Sequence, residues 1–565
     1  MIKSTWRTKK LEVRIGASLA AVALVMTALL ASSPPASSTT RTKATGGSFL
    51  NIIADPAGPF ADGFNPFSLS NSAYLQGATG MIYEPLMQFN LLKVGQIYPW
   101  LATSWSWANG GTELILHTRP GVKWQDGKPF SAADVAYTFN LIKKFPALDG
   151  NGVTFTSASA PSSSEVILRF SSAAFTQLFD ISQVLIVPEH IWSKIPNPVT
   201  NADDNPVGTG PYTVGSFSAQ EFTFLANPHY WQKGLPKIAK LNFLAYASNP
   251  SAGLAISQGS IDWNTVFMPN YQTGFVNKDP KHHFESVYPI GNFFLCPNLD
   301  SAPFNNLAVR QAVSESINRQ TIASEGEHGF YFADTSATGL TTPRWNPWLA
   351  PQFAKDVLSF NPKAAKALLE KNGYKQHSNG MLYGSNGKEL NVTLVGPSPY
   401  TDWMTDGQLM VAEMQQAGIN ATLSGVSVSS WTNDYVQGTY QLTFCGQFTT
   451  SDPYSMYNYM LNSALTAPIG KSATGDLERF VNAQADAALK AAAATDNTAA
   501  LLKAYTTLEG LMVKDVPAIP LFNGGAWAGY TTNHAVGWPS PSNPYEMNAC
   551  MSPWDEVVVL HLSAA

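Results

Sequence analysis

Residues 206–231, PVGTGPYTVGSFSAQEFTFLANPHYW, decide how the rest of the chain is read. Pro206 and Pro211 clamp a glycine turn. A strand-like run follows, and an aromatic turn closes it at Asn227-Pro228-His229-Tyr230-Trp231. Glycine at 208 and 210 permits a tight turn and lets a second stretch of backbone approach closely. Nothing in the stretch is reactive. It reads as a rigid backbone surface.

Around it lies a chain of 565 residues, too long for one ordinary core, so two or three packed units are expected. A composition 45% hydrophobic and 12% aromatic suffices for globular folding, while charged residues, at 13%, are about half the usual share. The surface then falls largely to Ser, Thr, Asn, Gln and Gly. The 34 Lys and Arg against 39 Asp and Glu form no basic stripe, which argues against nucleic acid as a partner.

Lys3, Arg7, Lys9, Lys10 and Arg14 precede an apolar run from Ile15 to Ala31, and small residues follow. This reads as a secretory signal over 1–31, the alternative being a short membrane anchor that stays. Cleavage after Ala31 removes those five positive charges and Glu12, taking the formal net charge from −5 to −9. The Ser/Thr/Pro-rich segment 32–47 reads as a disordered tether. The cysteines are Cys296, Cys445 and Cys550. None follows the apolar run, so a lipid-modified anchor cysteine is absent there. An odd count allows at most one disulfide and leaves one thiol over; the spacings do not suit zinc, and three small buried residues is the plain reading.

From Ser48 the pattern alternates helical and strand periods. Strands are expected at Phe49–Ile53, Glu113–His117, Glu165–Phe170, Asn420–Val426 and Val516–Phe522. Ser131 with Asp134 three residues on predicts a capped helix over Ala132–Lys144. Further helices are expected at Ala73–Tyr83 (helix or turn), Pro188–Trp192, Leu307–Ile322, from Pro362 to a stop at Gly373, at Gln408–Gln416, Asp476–Ala494 and Thr498–Val513.

Several motifs fall in a fixed order: Tyr83-Glu84-Pro85-Leu86, Pro99-Trp100-Leu101-Ala102-Thr103-Ser104-Trp105, RPGVKWQDGKPF at 119–130 followed by Ala133-Asp134-Val135, Val309-Arg310-Gln311-Ala312-Val313 with Ile317-Asn318-Arg319, and DVPAIPL at 515–521. With the 206–231 stretch they resemble, over nearly the whole chain after Gly47, the large solute-binding proteins of peptide-type ABC importers (extracellular solute-binding family 5, the peptide, oligopeptide and nickel type). The residues themselves read as fold determinants: Trp124 with Asp126-Gly127 as a strand end and turn, Arg310 and Asp134 as helix-face or cap residues, Trp100, Trp105 and Trp107 as core.

The resemblance implies an α/β fold, two-lobed and periplasmic-binding-protein-like, of the type II large class with an inserted extra subdomain in lobe I. On this sequence lobe I would be 48–80, 205–288 and 522–565, the inserted subdomain 81–204, and lobe II 289–521. A small-molecule ligand, peptide or oligosaccharide, would sit between the lobes of a monomer exported to the periplasmic or outer side of the membrane. ABC permease subunits would receive it. No cofactor, metal or catalytic residue is implied. Ligand contacts carried over from the family's cleft fall on Phe64, Asn65 and Phe67 after the first strand, the Gly208 and Gly210 backbone, Gln447, Phe448, Thr449 and Asp452 of the second lobe, Trp403, and Trp527 of the returning segment. In peptide binders of the family an aspartate of the second lobe pairs with the peptide amine. Here, counting back from Pro453, Thr449 holds that position and Gly446 the neighbouring tryptophan position. Trp345, Trp348, Trp403, Trp431 and Trp527, expected in loops or element ends, offer indole faces to sugar rings, which keeps an oligosaccharide open beside an oligopeptide or dipeptide.

Catalysis has little support. The chain carries no HExxH or G-x-S-x-G, and Gly470-Lys471-Ser472 lacks the upstream glycine of a phosphate loop. A secreted glycoside hydrolase, which needs two converging carboxylates, and a structural surface protein are the alternatives of other classes. His282-His283 reads as an exposed turn.

Overall fold

The stretch 206–231 folds as a hairpin. Strands Tyr212–Phe217 and Glu221–Ala226 pair antiparallel, with an irregularity between Val214 and Ser216 where Gly215 sits. This is a computed structural model, and it describes residues 48–565 apart from 55, 57, 62, 69, 70, 399 and 447–449. The expected signal (1–31) and tether (32–47), and the site residues Gln447, Phe448 and Thr449, lie outside the described residues.

The hairpin forms one edge of an eleven-stranded mixed sheet among the described residues. Inward from that edge come Lys240–Leu244, Phe49–Ile53, Trp263–Asn264 and the long strand Ile519–Thr531, then a second long strand, His283–Pro297, and finally Leu442–Gly446, Asn391–Pro397 and Asn420–Val426. The outer groups contain parallel pairs, Phe49–Ile53 with Lys240–Leu244 and Asn391–Pro397 with Asn420–Val426, each joined by helix-containing crossovers. The two long strands pair antiparallel from His283↔Thr531 to Leu295↔Ile519.

Burial divides along those two strands. One core gathers side chains from Leu50 to Phe243 and again from Ala526 to Leu562. The buried residues of two others lie between Phe293 and Phe522. The change falls between Ile290 and Phe293 on one strand and between Phe522 and Ala526 on the other. There the register slips, between Pro289 and Gly291, opposite Gly524 and Gly525. Gly525 has φ +140°, and a Cβ on it would meet Ile290 at 2.4 Å. A β-bulge bends a ladder locally, so the bend and the boundary between cores coincide. A separate four-stranded antiparallel sheet, in the order Ala102–Ala108, Glu113–Thr118, Glu165–Arg169, Ser157–Ser159, carries the helix Ala132–Lys144.

Local signals set many boundaries. Ser131 caps Ala132–Lys144 with the reciprocal Asp134 contact of a capping box. Asn361 caps Pro362–Lys371. Other boundaries moved. The helix expected to Ile322 stops at Ser316, because Ile317 turns extended and Asn318 caps a new short turn. The helix expected from Gln408 begins at Thr401. The one expected from Asp476 begins at Ala483, since Asp476 and Arg479 hold positive φ and Asn482 supplies the cap. Ala73–Tyr83 breaks at Gly77 (φ +71°) into Ser72–Leu75 and Ala78–Met81. The last long strand starts at Ile519 and runs on to Thr531. Two tryptophans expected in loops, Trp403 and Trp431, sit in the first turns of helices, and Trp527 lies inside a strand.

Candidate functional site

Three sequence motifs converge on one buried carboxyl. Glu84 accepts hydrogen bonds from Trp100 Nε1 (2.8 Å), Tyr230 OH (2.8 Å) and Trp231 Nε1 (2.9 Å). Burial raises the Glu84 carboxyl above the ordinary range, and it raises that of neighbouring Glu556 further. Gly208 and Gly210 press against Met81 and Ile82: a Cβ would lie 1.7 Å from the Ile82 carbonyl at 208 and 2.5 Å from that of Met81 at 210. Their backbone groups are bonded to Gln125, Ile82 and Asn227. The glycine turn therefore holds the inserted segment onto the sheet, and neither glycine lines the cavity described next.

That cavity, about 570 Å³, opens where the sides of the molecule meet. Phe67, Tyr74 and Thr79 come from the segment after the first strand, and Asn151, Asp180 and Gln183 from the inserted residues. The chain's last segment adds Met551 to Trp554, and Thr450 faces them from beyond the second long strand. Phe67 packs edge-on against Trp192 (5.4 Å), and Phe179 stacks on Trp554 (6.5 Å), which fixes two apolar walls. Thr79 Oγ1 donates to Ser552 Oγ at 3.1 Å. The Trp554 indole N–H is buried with no partner among the described residues.

The charges around the cavity are unbalanced. Asp180 lines it, and burial, with the charges of Asp452 and Asp149 added, pushes its carboxyl up to about 7. Asp452 accepts from Tyr454 N–H (2.8 Å), Tyr505 OH (3.1 Å) and Ser451 OH (3.1 Å). Behind it lies the half-buried Arg344, whose guanidinium donates to the carbonyls of Ile290 (2.7 Å) and Thr450, its Nε unpaired among the described residues. Burial brings Arg344 down to about 10, against the pull of Asp452 and Glu546. Glu546 in turn is raised by burial to about 8. Arg344 thus holds the Thr450 carbonyl rather than offering its charge to the cavity.

Of the residues expected to contact ligand, Phe67 lines the cavity and Asp452 stands beside its wall. Phe64 is core, 1% exposed and packed on Phe217, Phe222 and Phe224. Asn65 is buried and bonds the carbonyls of Pro198 and Asn201. Trp403 stacks on Phe444 (5.2 Å) within an aromatic group that includes Trp431. Trp527 packs on Phe330 and Tyr331, its indole N–H unpaired among the described residues. Sequence reading missed Tyr74, Asn151, Asp180, Gln183 and Trp554, which lie in no motif; the isolated acid of Asp180 in the apolar run Leu178–Ser182 was the available signal.

Candidates for other chemistry dissolve in the structure. Cys296, Cys445 and Glu478 bring ligand atoms within 4.8 Å of one another, but the two sulfurs are bonded to each other; Cys550 is free and buried. His282 pairs with Asp279 at 2.8 Å, as an exposed turn residue can, whereas His283 is buried and stacked on Phe275 at 4.3 Å, correcting the reading of both as exposed. No helix of the described residues is long and apolar enough to cross a membrane.

Comparison with known proteins agrees with this architecture. Residues 96–467 match the family model of the bacterial extracellular solute-binding proteins, family 5 Middle. The nickel-binding periplasmic protein of Escherichia coli (strain K12) is 26% identical over 367 residues, which cover 62% of this chain and 67% of that protein. A crystal structure of the periplasmic oligopeptide-binding protein of an oligopeptide ABC transporter from Thermotoga maritima superposes with a TM-score of 0.83 at 25% identity, covering 92% of this chain and 99% of that one. A mannohexaose-bound crystal structure from the same organism superposes with a TM-score of 0.75 at 24% identity, covering 92% and 99%.

Proposed function

We propose, for a chain that belongs to the bacterial extracellular solute-binding proteins of family 5, that it captures an oligopeptide or dipeptide and delivers it unaltered to the permease of an ABC importer. The family is one of substrate-binding proteins of ABC importers, with periplasmic or extracellular members. One observation carries the reading of this chain: a 570 Å³ cavity walled by the first-strand segment, the inserted residues and the C-terminal segment on one side, and Thr450 on the other. We take 48–80, 205–288 and 522–565 as lobe I, 81–204 as its insertion and 289–521 as lobe II. The coincidence of the core boundary with the bulge at Pro289–Gly291 supports that division. Closure of the lobes about this bend removes the ligand from water, and Thr449 and its neighbours, next to Thr450, contact it. The protein acts as a monomer.

A second reading, an oligosaccharide, is favoured by one feature of the lining. Phe67, Tyr74 and Trp554 offer flat apolar faces beside the amides of Asn151 and Gln183. A thermal-shift panel of peptides and oligosaccharides, run beside a hydrolysis assay, tests both. Stabilisation by peptides without product is expected; stabilisation by sugars alone selects the second reading, and product formation overturns capture.

A further inference from the structure

The binding cavity holds a carboxylate that the protein itself does not neutralise. Asp180 lines the wall, and its carboxylate makes no hydrogen bond or ion pair among the described residues. Its charged surroundings are of the same sign. Asp149 faces it from the inserted segment, with one oxygen accepting from the Val153 N–H at 3.3 Å. Asp452 faces it from across the cavity, with its oxygens already taken by Tyr454, Tyr505 and Ser451. Tyr454 and Tyr505 are the other titratable groups on that side. Arg344 acts on Asp452 from behind, and its Nη1 and Nη2 donate to backbone carbonyls. No lysine, arginine or histidine is among the described residues lining the cavity.

A carboxylate in a partly dry wall, repelled by two others, is costly in its ionised form unless a cation arrives. An anionic or neutral ligand leaves that cost in place. An ammonium group removes it and gains a charge-assisted hydrogen bond.

We propose that Asp180 is a specificity-determining residue that anchors a cationic group of the ligand, the free amino terminus of a short peptide. The proposal deepens the peptide reading above and rests on it. It assigns to the inserted segment the recognition for which the expected loop position offers only Thr449. The anchor also carries a pH signature. Asp180 titrates at about 7 in the free protein, so below that pH the ligand's ammonium must displace a proton. Affinity rises with pH up to about 7 and levels above it, until an α-amino group loses its own proton near 8.

The test uses the full chain. Equimolar tetrapeptides with free amino termini and their N-acetylated counterparts are offered together, and the captured species are counted by mass spectrometry. Preference for the free-amine forms by about tenfold or more is expected. Asp180→Asn removes the preference between the two forms; Asp279→Asn, on an exposed turn, changes nothing. The wild-type pH profile supplies a readout that needs no variant to fold. Equal capture of both forms by the wild type, a flat pH profile between 5.5 and 7.5, or a preference that survives Asp180→Asn overturns the assignment while leaving peptide capture intact. Failure to capture either form, with oligosaccharides captured instead, overturns the peptide reading and the anchor with it.

Discussion

Arg310 directs its guanidinium to three backbone carbonyls: Phe304 (2.7 Å), Asp515 (2.6 Å from Nη2) and Val516 (3.1 Å). Val516 sits at φ +45° where the helix Thr498–Asp515 ends, so one side chain secures the turn into the long strand that starts at Ile519. Arg310→Ala leaves those carbonyls without their charged donor. A loss of about 2–4 kcal/mol in denaturant unfolding is expected, with ligand affinity unchanged; an affinity change at unaltered stability contradicts the structural role. Residues of this kind were legible in the sequence because they sit in motifs: Arg310, Glu84, Asp134 and Gly208 each have a partner fixed by local spacing or close packing. Asp180 was not. Its significance comes from Asp149, Asp452 and Thr450, which only the tertiary fold brings near it, and no window of sequence contains them together.

The pairing of His283–Pro297 with Leu442–Gly446 and Ile519–Thr531 is where the middle of the sheet is held. Cys296 and Cys445 join the first two of these strands across a sequence separation of 149 residues. Closing so long a loop removes much of the unfolded chain's freedom. Reduction, or the double change to serine, is expected to lower unfolding stability by about 3–5 kcal/mol, while Cys550→Ser leaves the redox dependence intact. Coincident unfolding curves with and without reductant contradict this. Short strands and capped helices were legible at this scale, as Phe49–Ile53, Ala132–Lys144 and Asn420–Val426 show. The long strands were not, because Ile519–Thr531 contains Gly524, Gly525 and Gly529, which break a strand pattern read locally; close contacts with Tyr331, Ile290 and Tyr271 require them.

Across the whole molecule, burial has raised carboxyls rather than lowered them. Asp476 is pushed to about 9, and Glu478 and Glu546 to about 8. Each binds its proton more tightly folded than unfolded, so the stability it contributes is present below the unfolded value near 4 and is lost as pH rises through the folded one. Carboxyls shifted the other way, Asp126, Asp279 and Glu389, are the shallow ones and act below that window. The thermal midpoint is expected to fall by roughly 5 °C or more between pH 5.5 and pH 9; a midpoint that rises over that range contradicts the burial argument. The fold class was legible at this scale through the ordered motifs, whereas the cavity was not, since it is a gap between segments that are distant in sequence.

We propose that two lobes bend at Pro289–Gly291 and Gly524–Gly525 to enclose a solute and release it unchanged. Small-angle scattering of the full chain, with and without a peptide found to stabilise it and with the recovered peptide weighed by mass spectrometry, tests this in one experiment. A smaller radius of gyration with bound peptide, and a peptide of unchanged mass, is the predicted result. An envelope indifferent to a saturating ligand, or a cleaved peptide, would contradict it.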